Sequence, residues 1–112
     1  MFTVVETDAA MEDMRETLAY LNYRTGGKQA GARLLDAYER LIGVLEATPF
    51  AYPLAADPLV SSLGYRWALI RSYIVLYTVN ESERVVAIER IEHESRNWRA
   101  QLVVCNRRCA DS

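Results

Sequence analysis

The sequence is poor in the residues from which metal and cofactor sites are usually built. Among 112 residues it has one histidine, His93, and two cysteines, Cys105 and Cys109. Three such ligands are too few for a tetrahedral zinc site, and a structural disulfide is rare in a reducing cytosol. We therefore expect no metal ion and no cofactor, and we assign the two cysteines an incidental role.

Long apolar segments are also missing. No run approaches the roughly 20 apolar residues that a membrane-spanning helix needs. Met1 and Phe2 lead into acidic residues rather than into the basic and apolar segments of a signal peptide. The sequence therefore predicts a cytoplasmic protein that does not contact a membrane.

Strong charge of either sign is absent as well. The formal net charge is −2, divided between −4 in residues 1–64 and +2 in residues 65–112. A nucleic-acid binder gains much of its affinity by neutralising phosphates, so this balance is weak for such a role. It suits contact with an anionic target through the C-terminal part only.

Core-forming residues are present in ordinary amounts. The chain is 51% hydrophobic and 25% charged, which is typical of a folded domain and not of a disordered segment. A chain of this length usually forms one domain with a real core. We predict a single domain over residues 1–112, in which residues 103–112 form a flexible tail.

Two amphipathic helices are predicted after a short strand over residues 2–5. Asp8 is the expected N-cap of the first helix, and Gly26-Gly27 ends it. Apolar residues recur every three or four positions in both helices: Met11, Met14, Leu18 and Leu21, then Ala30, Leu34, Tyr38, Leu41 and Leu45. Leu35 and Ile42 widen the second stripe. The solvated face of the second helix is formed by Gln29, Arg33, Asp36 and Arg40.

The C-terminal half predicts a three-stranded meander. Strands over residues 65–70, 73–79 and 85–92 are separated by a two-residue turn at Arg71-Ser72 and by residues 80–84. With that turn, one face of the first two strands holds Arg66, Ala68, Ile70, Tyr73, Val75 and Tyr77. The other face holds Tyr65, Trp67, Leu69, Ile74 and Leu76.

Both faces of this meander are largely apolar. One helical hairpin can cover only one of them. We therefore expect a partner protein on the face that carries Tyr73, Val75 and Tyr77, because large apolar patches mark binding sites. Ser95 is the expected N-cap of a short last helix that carries Trp98.

The order of these elements and several short motifs resemble the RelE/ParE family of bacterial toxins from type II toxin-antitoxin systems. The motifs are Ala47-Thr48-Pro49, Gly64-Tyr65-Arg66, Tyr73-Ile74-Val75-Leu76-Tyr77 and residues 88–97. The resemblance implies an α+β fold: an antiparallel sheet of about four strands, an α-helical hairpin packed on one face, and a short C-terminal helix. It also implies a plasmid-stabilising toxin that inhibits growth when free and is neutralised by a cognate antitoxin. A homodimer is allowed when the antitoxin is absent.

Two positions separate the branches of this family. RelE-like mRNA nucleases, which act on the ribosome, carry an arginine where this chain has Ile74 and a tyrosine where it has Trp98. An isoleucine cannot hold a phosphate, and an indole cannot transfer a proton in this role. The resemblance therefore favours a ParE-like poison of DNA gyrase. The alternatives are a ribosome-dependent endoribonuclease and a non-toxic interaction module of the same fold.

The candidate site residues follow from these alternatives. In a nuclease, His93 would move protons while Arg66 and Arg96 stabilise the charged transition state. In a gyrase poison, Arg66, Arg96 and Trp98 would contact the target. Simpler roles stay open: His93 as a hydrogen-bond partner of the last helix, Arg96 in an ion pair with a neighbouring glutamate, and Trp98 as a core anchor.

Overall fold

The computed structural model describes residues 1–25, 29–55 and 58–95. Its elements are, in chain order, β1 (Thr3–Glu6), α1 (Asp8–Thr25), α2 (Gln29–Ala47), α3 (Pro58–Ser62), β2 (Arg66–Ile70), β3 (Tyr73–Asn80) and β4 (Val85–His93). The short helix α3 has no counterpart among the predicted elements. The predicted C-terminal helix and tail, and the glycine pair after α1, lie outside the described residues.

The four strands form one mixed sheet in the order β1-β4-β3-β2. Strands β2, β3 and β4 pair antiparallel as predicted, but β1 runs parallel to β4, so the expectation of an antiparallel sheet is wrong for that strand. A parallel pair needs a long crossover connection, and here the helical hairpin and the β2-β3 hairpin lie between the two strands. The overall α+β architecture is confirmed.

The β2-β3 hairpin has the predicted two-residue turn. Ile70 pairs with Tyr73, and Arg66 pairs with Tyr77 at the other end of the hairpin. Arg71 lies in the turn with a φ of 54°, in the left-handed region that two-residue hairpin turns require. The predicted register, and with it the division of side chains between the two faces, is therefore confirmed.

The helices cover the face of the sheet that was expected to be bare. Val75 and Tyr77 are 0% exposed and belong to the main core cluster, together with residues of α1 and α2. The prediction that an antitoxin covers Tyr73, Val75 and Tyr77 is thus wrong for Val75 and Tyr77. Both faces of β3 are apolar, so the alternation of side chains does not indicate which face the hairpin takes.

A second, smaller cluster lies on the opposite face. Its buried members are Ala55, Tyr65, Ile74 and Leu76, and Trp67 packs against them. The segment before α3 reaches this side by pairing with β2: the Ala55 N–H donates to the Tyr65 carbonyl at 2.9 Å. Residues 53–55 therefore protect part of the outer edge of the sheet.

The start of α1 differs from the prediction by one residue. Thr7, not Asp8, is the N-cap, since its Oγ1 accepts a hydrogen bond from the Ala10 N–H at 3.1 Å. The buried stripe shifts accordingly, because Ala10 is fully buried and Met11 is 48% exposed. In α2 the predicted stripe is correct except for Leu35, which is also exposed.

The two helices pack closely at Gly31 of α2. A Cβ atom at this position would lie 3.2 Å from Oδ1 of Asn22 and 3.4 Å from Cδ2 of Leu18, both on α1. Glycine therefore lets the helices approach each other. Within residues 1–25, 29–55 and 58–95, none of the helices is long and apolar enough to cross a membrane.

Candidate functional site

A cleft of about 600 Å³ lies between the helical hairpin and one end of the sheet. Tyr73, at the start of β3, pairs with His93 at the end of β4, and the Glu94 N–H donates to the Ser72 carbonyl at 2.9 Å. These contacts hold the β2-β3 turn beside the end of β4. The cleft is lined by Asp13, Glu16, Thr17, Tyr20, Leu21, Ala30, Arg33, Leu34, Arg71, Ser72, Tyr73, Ile91, Glu92, His93 and Ser95.

His93 is held in one orientation by its neighbours. Its Nδ1 accepts a hydrogen bond from the backbone N–H of Ser95 at 3.1 Å, and the Ser95 Oγ lies 2.7 Å from the same nitrogen. The Tyr73 ring meets the imidazole edge to face, with 5.2 Å between ring centroids. Because Nδ1 accepts the Ser95 N–H, the proton of the neutral imidazole lies on Nε2.

Arg66 and His93 pair with β3 at positions that are well separated along the strand. Arg66 pairs with Tyr77, four residues along the strand from Tyr73, which corresponds to roughly 13 Å. Its Nη1 donates to the Tyr52 carbonyl at 2.7 Å, and its guanidinium lies 4.9 Å from the centre of the Phe50 ring. Arg66 and His93 are therefore not brought together, and Arg96 and Trp98 lie outside the described residues.

An acidic network joins α1 to the end of β4 beside the cleft. Arg90 donates to both carboxylate oxygens of Asp13, at 2.8 and 3.1 Å, and to Glu92 at 2.8 Å. The Ile91 N–H donates to the same Asp13 carboxylate at 2.9 Å. The Asp13 carboxylate thus pairs with the charge of Arg90. It also accepts a hydrogen bond from the Ile91 N–H, which lies beyond the end of β1.

Two arginines that line this cleft were not among the predicted site residues. Arg33 was assigned only to the solvated face of its helix, and Arg71 only to the turn. The position of Arg71 near the cleft could nevertheless have been predicted, because Arg71 lies two residues before Tyr73 in a predicted hairpin. The position of Arg33 depends on how the helices pack on the sheet, which the sequence pattern does not give.

In the part of the chain that the structure describes, no group of three or more histidine, cysteine, aspartate or glutamate residues could hold a metal ion.

The kind of protein follows from a match to a known family. The family model of the ParE toxin of the type II toxin-antitoxin system, parDE, matches residues 4–98. The chain belongs to the ParE toxin family. The resemblance to RelE/ParE toxins is thereby confirmed.

Solved structures share the fold of this ParE-family chain. The RelBE2 toxin-antitoxin complex of Mycobacterium tuberculosis is 22% identical with a TM-score of 0.59, over 82% of this chain and 96% of that chain. The chromosomal ParDE system of P. aeruginosa is 15% identical with a TM-score of 0.65, over 83% and 96%. The intact E. coli RelBE complex is 20% identical with a TM-score of 0.55, over 86% and 100%. A comparison with curated protein sequences gives no match.

The fold is thus common to toxins of the ParE and RelE types and does not separate their targets. The target therefore has to be inferred from individual residues of this ParE-family chain. At the position where RelE-like nucleases carry an arginine, Ile74 is 8% exposed and belongs to the second cluster. Its side chain lies on the face of the sheet opposite the one that carries Tyr73.

Proposed function

We propose that this ParE-family toxin inhibits growth when free by poisoning DNA gyrase, and that a cognate antitoxin neutralises it. The observation that carries the proposal is the separation of Arg66 from His93 along β3. General acid–base catalysis of RNA cleavage needs the proton-transferring group and the charge-stabilising groups around one phosphate. At roughly 13 Å along the strand, Arg66 and His93 do not meet that requirement together.

A further feature supports a mechanism without hydrolysis. Ile74 is packed in an apolar cluster, so it offers no charge to a phosphate. A toxin that acts by occupying its target needs no such charge, and Arg96 and Trp98 stay our proposed contacts to the target.

The antitoxin is proposed from the related structures. The neighbours from M. tuberculosis, P. aeruginosa and E. coli are toxin-antitoxin systems or complexes that share this fold. Because Val75 and Tyr77 are buried beneath the helices, we no longer propose them as antitoxin contacts.

An endoribonuclease is the second candidate, and one observation favours it. Arg33 and Arg71 line the same cleft as His93, so two arginines other than Arg66 share a cleft with the imidazole. In that case His93 would still be required as the acid or base.

Expression of the wild-type chain and of the His93→Ala variant in E. coli distinguishes these two candidate functions. We expect the wild-type chain to stop growth, and His93→Ala to remain toxic, because a poison that acts by occupancy does not need proton transfer. Poisoned cells should show DNA damage with intact mRNA. A positioned general acid or base contributes about 10²-fold to 10⁴-fold in rate, so a nuclease would lose toxicity in His93→Ala at unchanged stability.

Three results would contradict the gyrase proposal. Codon-dependent mRNA cuts that disappear in His93→Ala would establish the nuclease instead. Loss of toxicity in His93→Ala with an unchanged urea transition would point the same way. Normal growth during verified soluble expression of the wild-type chain would favour the non-toxic interaction module.

A further inference from the structure

Two arginines of the cleft have no side-chain partner among the residues that the structure describes. In the described part of the chain, neither Arg33 nor Arg71 takes part in an ion pair, a side-chain hydrogen bond or a contact with an aromatic ring. Arg33 comes from α2 and Arg71 from the β2-β3 turn, and both side chains are exposed. Two arginines from separate elements therefore border one cleft, and no described carboxylate forms an ion pair with either of them.

Two of the three carboxylates in the same cleft have a cationic partner, because Asp13 and Glu92 both accept hydrogen bonds from Arg90. Glu16 forms no ion pair within the described residues, and its charge only adds to the effect of Glu12 in raising the pKa of Arg15. Two arginines and one carboxylate of the cleft are thus left without an ion pair, and the excess of positive charge among them favours an anionic ligand.

The rest of the lining suits an aromatic group attached to that anion. Tyr20 is 54% exposed at the rim, with Arg24 lying 5.8 Å over its ring. The apolar part of the lining is formed by Leu21, Ala30, Leu34 and Ile91. A cleft of about 600 Å³ lies within the usual range for sites that bind small molecules.

We propose that this cleft binds a nucleoside 5′-phosphate, with the phosphate between Arg33 and Arg71 and the base against Tyr20. Arginine binds phosphate oxygens through paired N–H groups, and tyrosine rings stack on bases of any sequence. The site lies on the helix side of the sheet, whereas Ile74, the position of the nuclease arginine, points to the other side. The proposal is independent of the gyrase proposal, since it concerns binding and not toxicity.

Isothermal titration calorimetry of the full chain with AMP, adenosine and inorganic phosphate tests the site. We expect AMP to bind about tenfold more tightly than either fragment, because only AMP reaches both the arginines and Tyr20. Arg33→Gln and Arg71→Asn should each weaken AMP binding about tenfold or more. Asparagine is chosen for the turn because it tolerates the positive φ of Arg71.

Matched variants on the same helices provide the controls. Arg40→Gln is exposed on α2 and does not line the cleft, so AMP should bind to it as to the wild type. Tyr20→Ala should weaken AMP binding but leave phosphate binding unchanged, whereas Tyr23→Ala, at an 87% exposed position of α1, should change neither. Far-UV circular dichroism and urea unfolding establish that each variant is folded.

A DNA ten-mer with and without a 5′-phosphate distinguishes the two sources of the ligand. Binding that requires the 5′-phosphate would identify a DNA strand end, and binding of AMP alone would identify a free nucleotide. Either result supports the site. Absence of AMP binding at millimolar concentration, or equal weakening by Arg33→Gln and Arg40→Gln, would overturn the proposal.

Discussion

At the scale of single residues, two tyrosines carry polar groups into the core. The Tyr38 hydroxyl donates to the Glu6 carboxylate at 2.7 Å, and the Tyr77 hydroxyl donates to the Pro49 carbonyl at 2.9 Å. Both rings are otherwise enclosed by apolar side chains. Each hydroxyl thus satisfies its own hydrogen-bonding need and fixes a neighbouring segment to the sheet or to α2.

Burial of these phenols predicts a loss of stability at high pH. Desolvation, and for Tyr38 also the Glu6 carboxylate, raises the pKa of both hydroxyls above their ordinary value near 10.0. The unfolded chain therefore releases these protons first, so stability is intact below about pH 10 and falls as the pH rises above it. At pH 11 we expect a loss of about 1.4 kcal/mol from Tyr38 alone.

Urea unfolding at pH 8 and pH 11 measures this effect. Tyr38→Phe should be less stable than the wild type at pH 8 but should lose less stability between the two pH values. Tyr23→Phe changes an exposed phenol and should keep the wild-type pH dependence. An identical pH dependence in Tyr38→Phe and the wild type would show that Tyr38 does not titrate abnormally.

The buried residues of α2 could be predicted from the sequence. The residues that line the cleft could be predicted less well. Leu34, Tyr38 and Leu41 follow from helical spacing alone, because an amphipathic stripe depends only on local periodicity. Thr7 was missed as the N-cap because Asp8 is an equally good capping residue by type. Arg33 was missed because an exposed arginine on a helix gives no sign of the element that faces it.

At the scale of elements, the ion pair between Asp13 and Arg90 connects α1 to β4. The Asp13 side chain is 11% exposed and the Arg90 side chain 21% exposed, so water screens this pair much less than a surface pair. A pair on the same helix, between Glu12 and Arg15, is exposed on both sides. The two pairs differ mainly in burial and offer a matched comparison.

Removing Asp13 should therefore destabilise the fold far more than removing Glu12. Asp13→Ala leaves the Arg90 guanidinium with Glu92 as its remaining acceptor and the Ile91 N–H without its side-chain acceptor, and we expect a loss of about 3 kcal/mol in the free energy of unfolding. Glu12→Ala should leave the urea midpoint nearly unchanged. Equal effects of the two substitutions would show that Asp13 does not hold α1 to the sheet.

The element pattern was predictable where local rules are sufficient. The turn at Arg71-Ser72 fixed the β2-β3 register, since a two-residue loop allows one pairing of its flanking residues. The side of the sheet taken by the helices was not predictable, because Tyr77 and Leu76 are adjacent residues, both fully buried, on opposite faces. The parallel pairing of β1 also depends on a contact between distant parts of the chain.

At the scale of the whole molecule, the sheet holds the candidate site residues His93 and Arg66 apart from each other. The end of the sheet with Tyr73 and His93 opens into the cleft, and the end with Arg66 is held by the Tyr52 carbonyl and the Phe50 ring. An enzyme that used both ends at once would have to bring them together. A toxin that acts by binding has no such requirement, and this difference is the basis of our proposal that the protein poisons gyrase.

The most direct test of this account uses purified components. The chain is incubated with DNA gyrase, ATP and supercoiled plasmid, and in parallel with ribosomes engaged on mRNA. We expect gyrase to be trapped on cleaved plasmid, so that linear DNA accumulates, while the ribosome-bound mRNA stays intact and His93→Ala behaves like the wild type. Unchanged gyrase activity together with cleavage of the ribosome-bound mRNA would contradict the account.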